Sequence, residues 1–198
     1  HTVKSDSIMY LVRSNLHKEI QKNDPTLEFW MSEYCILGGN GILKGGGRDL
    51  GMKTALFVAN IIHADLVVAN ASAWQWWIAV SPYDYKDGLV YIDKNEEGGN
   101  IYDSKLLWAL GNYSRFIRPG AKRVSVESDF EDLKISAFKN DNNEMVIVIL
   151  NPGDDAKNIQ LNLRGEMAKV FETSNFKNLN PLKNINLSHP FSVSQQSV

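Results

Sequence analysis

The sequence has little cysteine, little charge imbalance and no long apolar run, and each absence excludes a class of protein. Cys35 is the only cysteine in 198 residues, which excludes an internal disulfide but does not separate cytoplasm from periplasm or cell exterior. Lysine and arginine number 21 against 23 aspartate and glutamate, so there is no basic footprint for nucleic acid or for a membrane surface. No apolar run approaches the roughly 20 residues that span a bilayer, so we predict no membrane span.

The rest of the composition is that of a globular protein. Hydrophobic residues make up 43% of the chain and charged residues 22%, which is enough apolar mass for one or two cores. The N-terminus has no basic region followed by an apolar signal core. The first residue is His1 rather than Met, so we expect a chain that is processed or cut from something longer.

Residues 1–118 alternate between helical and strand periodicity. Apolar residues at every fourth position predict an amphipathic helix at the start, and Pro119-Gly120 end the last helix of this region. The predicted order is helix 7–22, strand 27–33, glycine-rich loop 38–47, helix 52–66, strand 71–80, short extended piece 88–93 and helix 103–117. This order is typical of a parallel α/β sheet.

Beyond Gly120 the pattern changes to short alternating strands. The segments "RVSVES", "LKISAFKN", "EMVIVILN" and "NIQLNLR" are separated by "DFED", "DNN" and "PGDD". This spacing is typical of an antiparallel sandwich or barrel. We therefore predict two domains, residues 1–118 and residues 119–198.

The first domain is too small to enclose a parallel sheet. Two strands and three helices leave open sheet edges, which favour aggregation. A complete (β/α)8 barrel needs about 250 residues. We therefore predict that residues 1–118 are the last two β/α units of a larger barrel.

Several segments carry a family resemblance. "WMSEYC", "ANASAWQWW" and "YSRFIRPGAKRV", followed by "LKISAFKNDNNEMVIVILNPGDDAKNIQLNL", resemble the C-terminal part of glycoside hydrolase family 30, which includes glucosylceramidases, endo-xylanases and endo-β-1,6-galactanases. The resemblance implies a (β/α)8 barrel with an attached β-sandwich, in which residues 27–33 are the seventh strand and 71–79 the eighth. The acid/base glutamate of the family, in an Asn-Glu-Pro motif after strand four, has no counterpart here. The family also continues through one more strand beyond "FSVSQQSV".

Two interpretations of Glu33 compete. A carboxylate at a strand end is commonly a solvated charge. The C-terminal ends of barrel strands are, however, where barrel enzymes carry out their chemistry, and the resemblance implies that Glu33 is the nucleophile of a retaining glycosidase. Such enzymes use two carboxyl groups about 5–5.5 Å apart. We expect the glycines after Glu33 to let the backbone turn sharply and approach a sugar chain closely.

The "WQWW" segment contains the second group of candidates. Strand alternation places Gln75 and Trp77 on one face and Trp74 and Trp76 on the other, and we expect the latter pair in the core. The resemblance implies that Trp77 forms the floor of the subsite for the sugar being cleaved. Gln75 and Tyr83 are further substrate-binding candidates, although a solvated loop explains Tyr83 equally well.

The remaining polar candidates are weaker. His63 and Asp65 lie in a helix at a spacing that does not put both on one face, so we predict no metal site. Cys35 shares a strand face with Glu33, where it either lines the site or serves as a small buried hydrophobe. His1 is a candidate for a cleft residue on the preceding barrel strand.

The sequence therefore predicts the C-terminal portion of a secreted or periplasmic retaining β-glycosidase without a cofactor. The expected substrate is a polysaccharide or oligosaccharide such as β-1,6-galactan or xylan. The expected partners are that carbohydrate and the N-terminal barrel segment of the same protein, not nucleic acid. The alternatives are a non-catalytic carbohydrate-binding protein on the same fold and an inactive fragment without the acid/base residue.

Overall fold

A computed structural model describes residues 5–39, 42–95, 97–163, 165 and 167–198. The chain folds as two compact units. The first unit comprises the residues up to Leu50 together with Asn60–Ser104, and the second comprises Gly51–Ala59 together with Lys105–Val198. The domain boundary at residues 118–119 stays a prediction.

The first helix, α1, spans Asp6–Asn23, one residue longer at each end than predicted. Its N-terminus is capped by Ser5, whose Oγ accepts a hydrogen bond from the Ile8 N–H at 3.3 Å. Met9 and Arg13 are its buried side chains. The apolar face that the spacing predicts is only partly buried, because Ile8, Leu11 and Val12 are exposed.

The two predicted barrel strands are present and pair in parallel. Strand β1 spans Trp30–Tyr34 and β2 spans Ala73–Trp76. The prediction of a buried strand over 27–33 is wrong in two respects: residues 27–29 lie outside β1, and only Tyr34 of the strand is buried. Among the described residues β1 pairs with β2 alone, so its other edge carries no neighbouring strand.

Helix α2 spans Met52–His63 and continues as a π-helical turn over Ala64–Val68. The predicted helix thus extends two residues beyond Leu66, with a change of helical type inside it. Side chains that pack α2 are small or branched and almost inaccessible: Ala55, Val58, Ala59, Ile61 and Ile62. The π-helical turn places Asp65 in the interior, with no exposed surface.

A three-stranded sheet follows β2. Strands β3 (Val80–Ser81), β4 (Val90–Ile92) and β5 (Ile101–Asp103) lie in that order, with β3 and β4 parallel and β4 and β5 antiparallel. The predicted strand 71–80 is therefore two strands, β2 and β3. Strand β5 is too short to produce a periodic signal, and the sequence did not predict it.

The second unit begins with helix α3, Lys105–Ser114. Its strands all pair antiparallel, as the predicted sandwich requires. They are β6 (Lys122–Val124), β7 (Lys134–Lys139), β8 (Met145–Leu150), β9 (Lys157–Ile159), β10 (Met167–Ala168), β11 (Phe171–Ser174), β12 (Lys177–Pro181), β13 (Ile185–Asn186) and β14 (Phe191–Val193).

The first four strands of this unit were predicted and the last five were not. Strands β10 to β14 are two to five residues long and contain many polar residues, so they lack a strong alternating pattern. Leu133, Ile159 and Val193 form a buried cluster in this unit. Phe130, Ile135, Ile149, Leu161 and Phe191 pack against it.

Candidate active site

The C-terminal ends of β1 and β2 meet at one edge of the parallel sheet. Met31 pairs with Trp74 and Tyr34 with Trp76, and the register is irregular between Met31 and Tyr34. The Trp77 N–H donates to the Tyr34 carbonyl at 2.9 Å, which extends the pairing beyond β2. Residues just before Tyr34 and just after Trp76 are therefore neighbours at this edge.

Glu33 lies inside the irregular part of β1, and its side chain is exposed. An irregularity of this kind re-aims side chains and is common next to active sites. Burial raises the pKa of the neighbouring Cys35 thiol, and the negative charges of Glu33 and Asp87 raise it further. Asp87 lies close to the strand ends, because its backbone carbonyl accepts a hydrogen bond from Trp76 Nε1.

The tryptophans alternate between the two faces of β2 as predicted. Trp74 and Trp76 are half-buried and stack on each other, with ring centroids 6.3 Å apart. The buried Tyr34 ring packs against both, at 6.1 and 6.2 Å. Gln75 is exposed and Trp77 is 51% exposed. Their face is accessible to a ligand, whereas the other face is packed.

The half-buried tryptophans are held by hydrogen bonds as well as by packing. Trp74 Nε1 donates to Asp65 Oδ2 at 3.0 Å, and Arg13 Nε donates to Asp65 Oδ1 at 2.8 Å. Burial raises the pKa of Asp65, although Arg13 and the hydrogen bonds oppose that shift. Trp76 Nε1 donates to the Asp87 carbonyl at 2.6 Å. These partners have no local signal in the sequence, because they lie on other elements.

Gly45, Gly46 and Gly47 of the glycine-rich segment contact other parts of the chain. A Cβ on Gly45 would lie 2.3 Å from the Leu37 backbone, so only glycine fits there. The backbone of Gly46 pairs with that of Tyr85, and Lys86 Nζ donates to the carbonyls of Gly46 and Gly47 at 2.8 Å each. We expected the glycines to let the backbone approach a sugar. At Gly45, however, glycine is required by the close approach of the Leu37 backbone.

The loop after β3 presents the candidate Tyr83. Its ring is 49% exposed, and Lys94 Nζ lies 4.4 Å from the ring centroid. The buried Ser81 side chain accepts a hydrogen bond from the Tyr83 N–H at 3.1 Å. The loop of Tyr83 therefore has internal contacts, while Tyr83, Asp84 and Tyr85 are exposed to solvent.

Other residues that the sequence singled out do not lie at this edge of the sheet. Asp65 is a buried ion-pair partner, and His63 is buried at the end of α2. His1 lies outside the described residues. Within the described ranges, no three His, Cys, Asp or Glu side chains are grouped as metal ligands. None of the described helices is long and apolar enough to cross a membrane.

Asp87 is a buried residue near the strand ends that the sequence did not predict. Its side chain is almost completely buried, and its Oδ1 has no hydrogen-bond partner among the residues that the structure describes. In the sequence Asp87 stands in "YDYKDG", where a turn residue is the ordinary interpretation. Its proximity to Cys35 depends on tertiary structure and leaves no local signal.

Two profiles of one family match the chain. "O-Glycosyl hydrolase family 30" matches residues 1–91, and "Glycosyl hydrolase family 30 beta sandwich domain" matches residues 120–197. The chain is also 28% identical to glucuronoxylanase XynC of Bacillus subtilis over 160 residues, which are 70% of this chain and 34% of that protein. The chain spans about a third of the length of the curated relatives that it matches.

Solved structures show the same fold. A conserved exported protein from Bacteroides fragilis is similar with a TM-score of 0.85 and 30% identity, over 99% of this chain and 43% of that one. A GH30 endoxylanase from Clostridium papyrosolvens is similar with a TM-score of 0.71 and 24% identity, over 93% of this chain and 44% of that one. The two profiles and these folds agree. The chain belongs to glycoside hydrolase family 30, as the last two β/α units of a (β/α)8 barrel followed by an antiparallel β-sandwich.

Proposed function

We propose that this chain carries the nucleophile of a retaining β-glycoside hydrolase, and that the nucleophile is Glu33. The observation that carries the proposal is the position of Glu33, exposed at the C-terminal end of β1 and at the same sheet edge as the exposed Trp77. Barrel enzymes place their catalytic groups at this end of their strands. Membership of a glycoside hydrolase family supports the same chemistry.

The first step of the proposed reaction is attack by the Glu33 carboxylate on the anomeric carbon. A glycosyl ester forms as the bond to the leaving oxygen breaks, and a second carboxyl group protonates that oxygen. We propose that this acid/base group lies on a barrel segment outside the 198 residues. The chain's coverage of about a third of its curated relatives supports this placement.

The second step releases the sugar. The same acid/base group, now ionised, takes a proton from water, and the water oxygen attacks the anomeric carbon. The ester bond breaks, Glu33 returns as a carboxylate, and the sugar leaves with its original anomeric configuration. The net reaction consumes one water and needs no cofactor.

Trp77 is the proposed platform for the sugar that is cleaved. Its indole is half exposed and lies one residue beyond β2, next to the end of β1. An indole face suits the apolar C–H face of a pyranose, and aromatic side chains commonly line ligand sites. Gln75 shares the exposed face of this strand and is the proposed hydrogen-bonding partner of sugar hydroxyls. Tyr83 is the proposed wall of the cleft.

The proposed substrates are xylan and β-1,6-galactan or their oligosaccharides. The names of the Bacillus and Clostridium relatives, a glucuronoxylanase and an endoxylanase, support xylan. The resemblance of "ANASAWQWW" to the family that includes β-1,6-galactanases supports galactan. Similarity to an exported protein supports a secreted or periplasmic location, where such polymers are found.

Substitution of Glu33 by Gln tests the nucleophile. In the complete enzyme, meaning this chain together with the rest of its barrel, Glu33→Gln is expected to lower kcat on the order of 10⁴-fold or more, because an amide does not form a glycosyl ester at a useful rate. Glu28→Gln is the matched control, since Glu28 is exposed and precedes β1. It is expected to keep wild-type activity.

A 2-fluoro glycoside of the hydrolysed sugar identifies the residue directly. Peptide mapping is expected to place the covalent adduct on Glu33. An adduct on another carboxylate, or a first product of inverted configuration by NMR, would reject the assignment. Binding of the oligosaccharide without any hydrolysis by the wild type would favour the non-catalytic carbohydrate-binding alternative.

A further inference from the structure

Arg48 joins the glycine-rich segment to the loop that carries Tyr83. Its Nε donates to the Tyr83 carbonyl at 3.0 Å, and its Nη2 donates to the carbonyls of Pro82 and Ile92 at 3.2 and 2.8 Å. Its backbone N–H donates to Asp84 Oδ1 at 2.8 Å. One residue therefore bonds the loop at three points, at Tyr83 and at both of its neighbours, and bonds strand β4 at a fourth.

The guanidinium also rests on a buried ring. Its central carbon lies 5.1 Å from the ring centroid of Tyr91, which is almost completely buried. The Tyr91 hydroxyl donates to the Tyr85 carbonyl at 2.9 Å and accepts from the Gly88 N–H at 3.1 Å. Arg48 is thus stacked on the side chain that organises the inner part of the same loop.

These contacts require arginine. Only a planar fork of several N–H donors reaches carbonyls in different directions while its face stacks on a ring. A lysine at this position has one ammonium group on a flexible stem, and it replaces the charge without replacing the fork. The site is therefore built for geometry and not for charge alone.

Tyr83 is the exposed residue that these contacts fix. Arg48 holds its carbonyl, Ser81 holds its N–H, and Lys94 lies over one face of its ring. The ring itself stays half exposed. A surface tyrosine gains little stability from such restraint, whereas a loop held in one conformation presents its ring to a flat ligand at a lower ordering cost.

We propose that Arg48 is a positioning residue, which holds Tyr83 in place as the wall against which the sugar chain binds. The inference rests on the proposed function and goes beyond it, because Arg48 does not touch the sugar and acts only through the Tyr83 loop. Its loss weakens substrate binding and leaves the nucleophilic step intact.

A double-mutant cycle tests this coupling in the complete enzyme. The probes are xylotetraose and β-1,6-galactotetraose, and KM and kcat are measured for whichever the wild type hydrolyses faster. Arg48→Met and Tyr83→Ala are each expected to raise KM about 10-fold with kcat changed less than about 3-fold. The double variant is expected to match Tyr83→Ala, because the two residues act as one unit. Effects that multiply would overturn the inference.

Two further variants separate geometry from charge and from general damage. Arg48→Lys is expected to remain as impaired as Arg48→Met, and recovery of the wild-type KM by lysine would overturn the forked-contact account. Arg118→Met is the matched control, because this exposed arginine also donates to carbonyls, those of Ser114 and Arg115. It is expected to leave KM and kcat at wild-type values.

Hydrogen–deuterium exchange tests the positioning without any substrate. Amides of residues 83–92 are expected to exchange more than about 10-fold faster in Arg48→Met than in wild type or Arg118→Met, because local opening costs less once the side-chain contacts are gone. Unchanged exchange would overturn the inference even if turnover is absent. A failure of the proposed function would give a different result: the Glu33→Gln variant would keep wild-type activity.

Discussion

The two units differ in where they expose aromatic side chains. In the first unit Trp77, Tyr83 and Tyr85 are all about half exposed and lie within nine consecutive residues. In the described part of the second unit Phe176 is the single strongly exposed aromatic residue, at a hairpin turn. Exposed rings that are close together in the sequence suit a flat ligand such as a sugar chain, whereas an isolated ring is ordinary surface.

The units also differ in how they use buried polar groups. In the second unit Thr173 Oγ1 accepts hydrogen bonds from Asn112 Nδ2 at 2.7 Å and from the Leu179 N–H at 3.1 Å, a fully internal network. In the first unit the buried pair Arg13–Asp65 reaches Trp74 on β2. Buried polar groups therefore stabilise the interior of the second unit, whereas in the first they also support the strand that ends at the candidate site.

The largest expected effect is on stability in the first unit. Arg13→Met leaves the carboxylate of Asp65 fully buried without its cation, while Trp74 Nε1 still donates a hydrogen bond to it. Breaking a buried pair in this way costs about 3–5 kcal/mol. Urea denaturation of the complete enzyme measures it, with Lys18→Met on the exposed side of α1 as control. A loss no larger than that of the control would show that the pair contributes no stability.

The next largest expected effect is on catalysis. Two variants, one at each end of the parallel sheet, test it. Trp77 and Trp30 are 51% and 57% exposed, but Trp77 follows the end of β2 whereas Trp30 begins β1. Trp77→Ala is expected to weaken transition-state binding by about 1–3 kcal/mol. Trp30→Ala is expected to leave kcat/KM unchanged. Equal losses in the two variants would remove the distinction between the sheet ends.

A comparable change in the second unit is expected to alter stability without altering catalysis. Thr173→Val keeps the shape of the side chain but leaves two buried donors without their acceptor, which costs about 1–3 kcal/mol. When kcat/KM is measured at a temperature well below the unfolding midpoint, it is expected to stay at the wild-type value. A loss of activity in the folded variant would contradict the separation of roles between the units. Ser128→Ala, at an exposed position, is the control.

The smallest expected effect is a pH dependence. Burial raises the pKa of Asp65 above its ordinary value of 3.8, so the folded state binds this proton more tightly than the unfolded state. The contribution of Asp65 to the free energy of unfolding therefore falls as the pH rises from 3.8 through the raised pKa. Asp65→Asn has no such titration, so its stability relative to wild type is expected to rise over that range. A relative stability that falls instead would mean that Arg13 outweighs burial.

Much of the architecture was predictable because it depends on local patterns. The helix over 7–22 follows from apolar spacing, the parallel pair from the order of elements, and the outward direction of Trp77 from strand alternation. Burial of β1 was predicted wrongly, because apolar composition in "LEFWM" indicates burial only when neighbouring strands cover both sides. Strand β5 and strands β10 to β14 were missed because short polar segments have no clear period.

The sequence by itself determined the alternation of helices and strands and the types of residue near the ends of β1 and β2, since these depend on near neighbours in the chain. Only the tertiary structure decided which distant residues meet. It joined Arg13 to Asp65 and Arg48 to the loop of Tyr83, and it placed the charge of Asp87 near Cys35. Hydrogen bonds and charge interactions form through space, over separations of 35 to 52 positions in the first two cases, so no local periodicity encodes them.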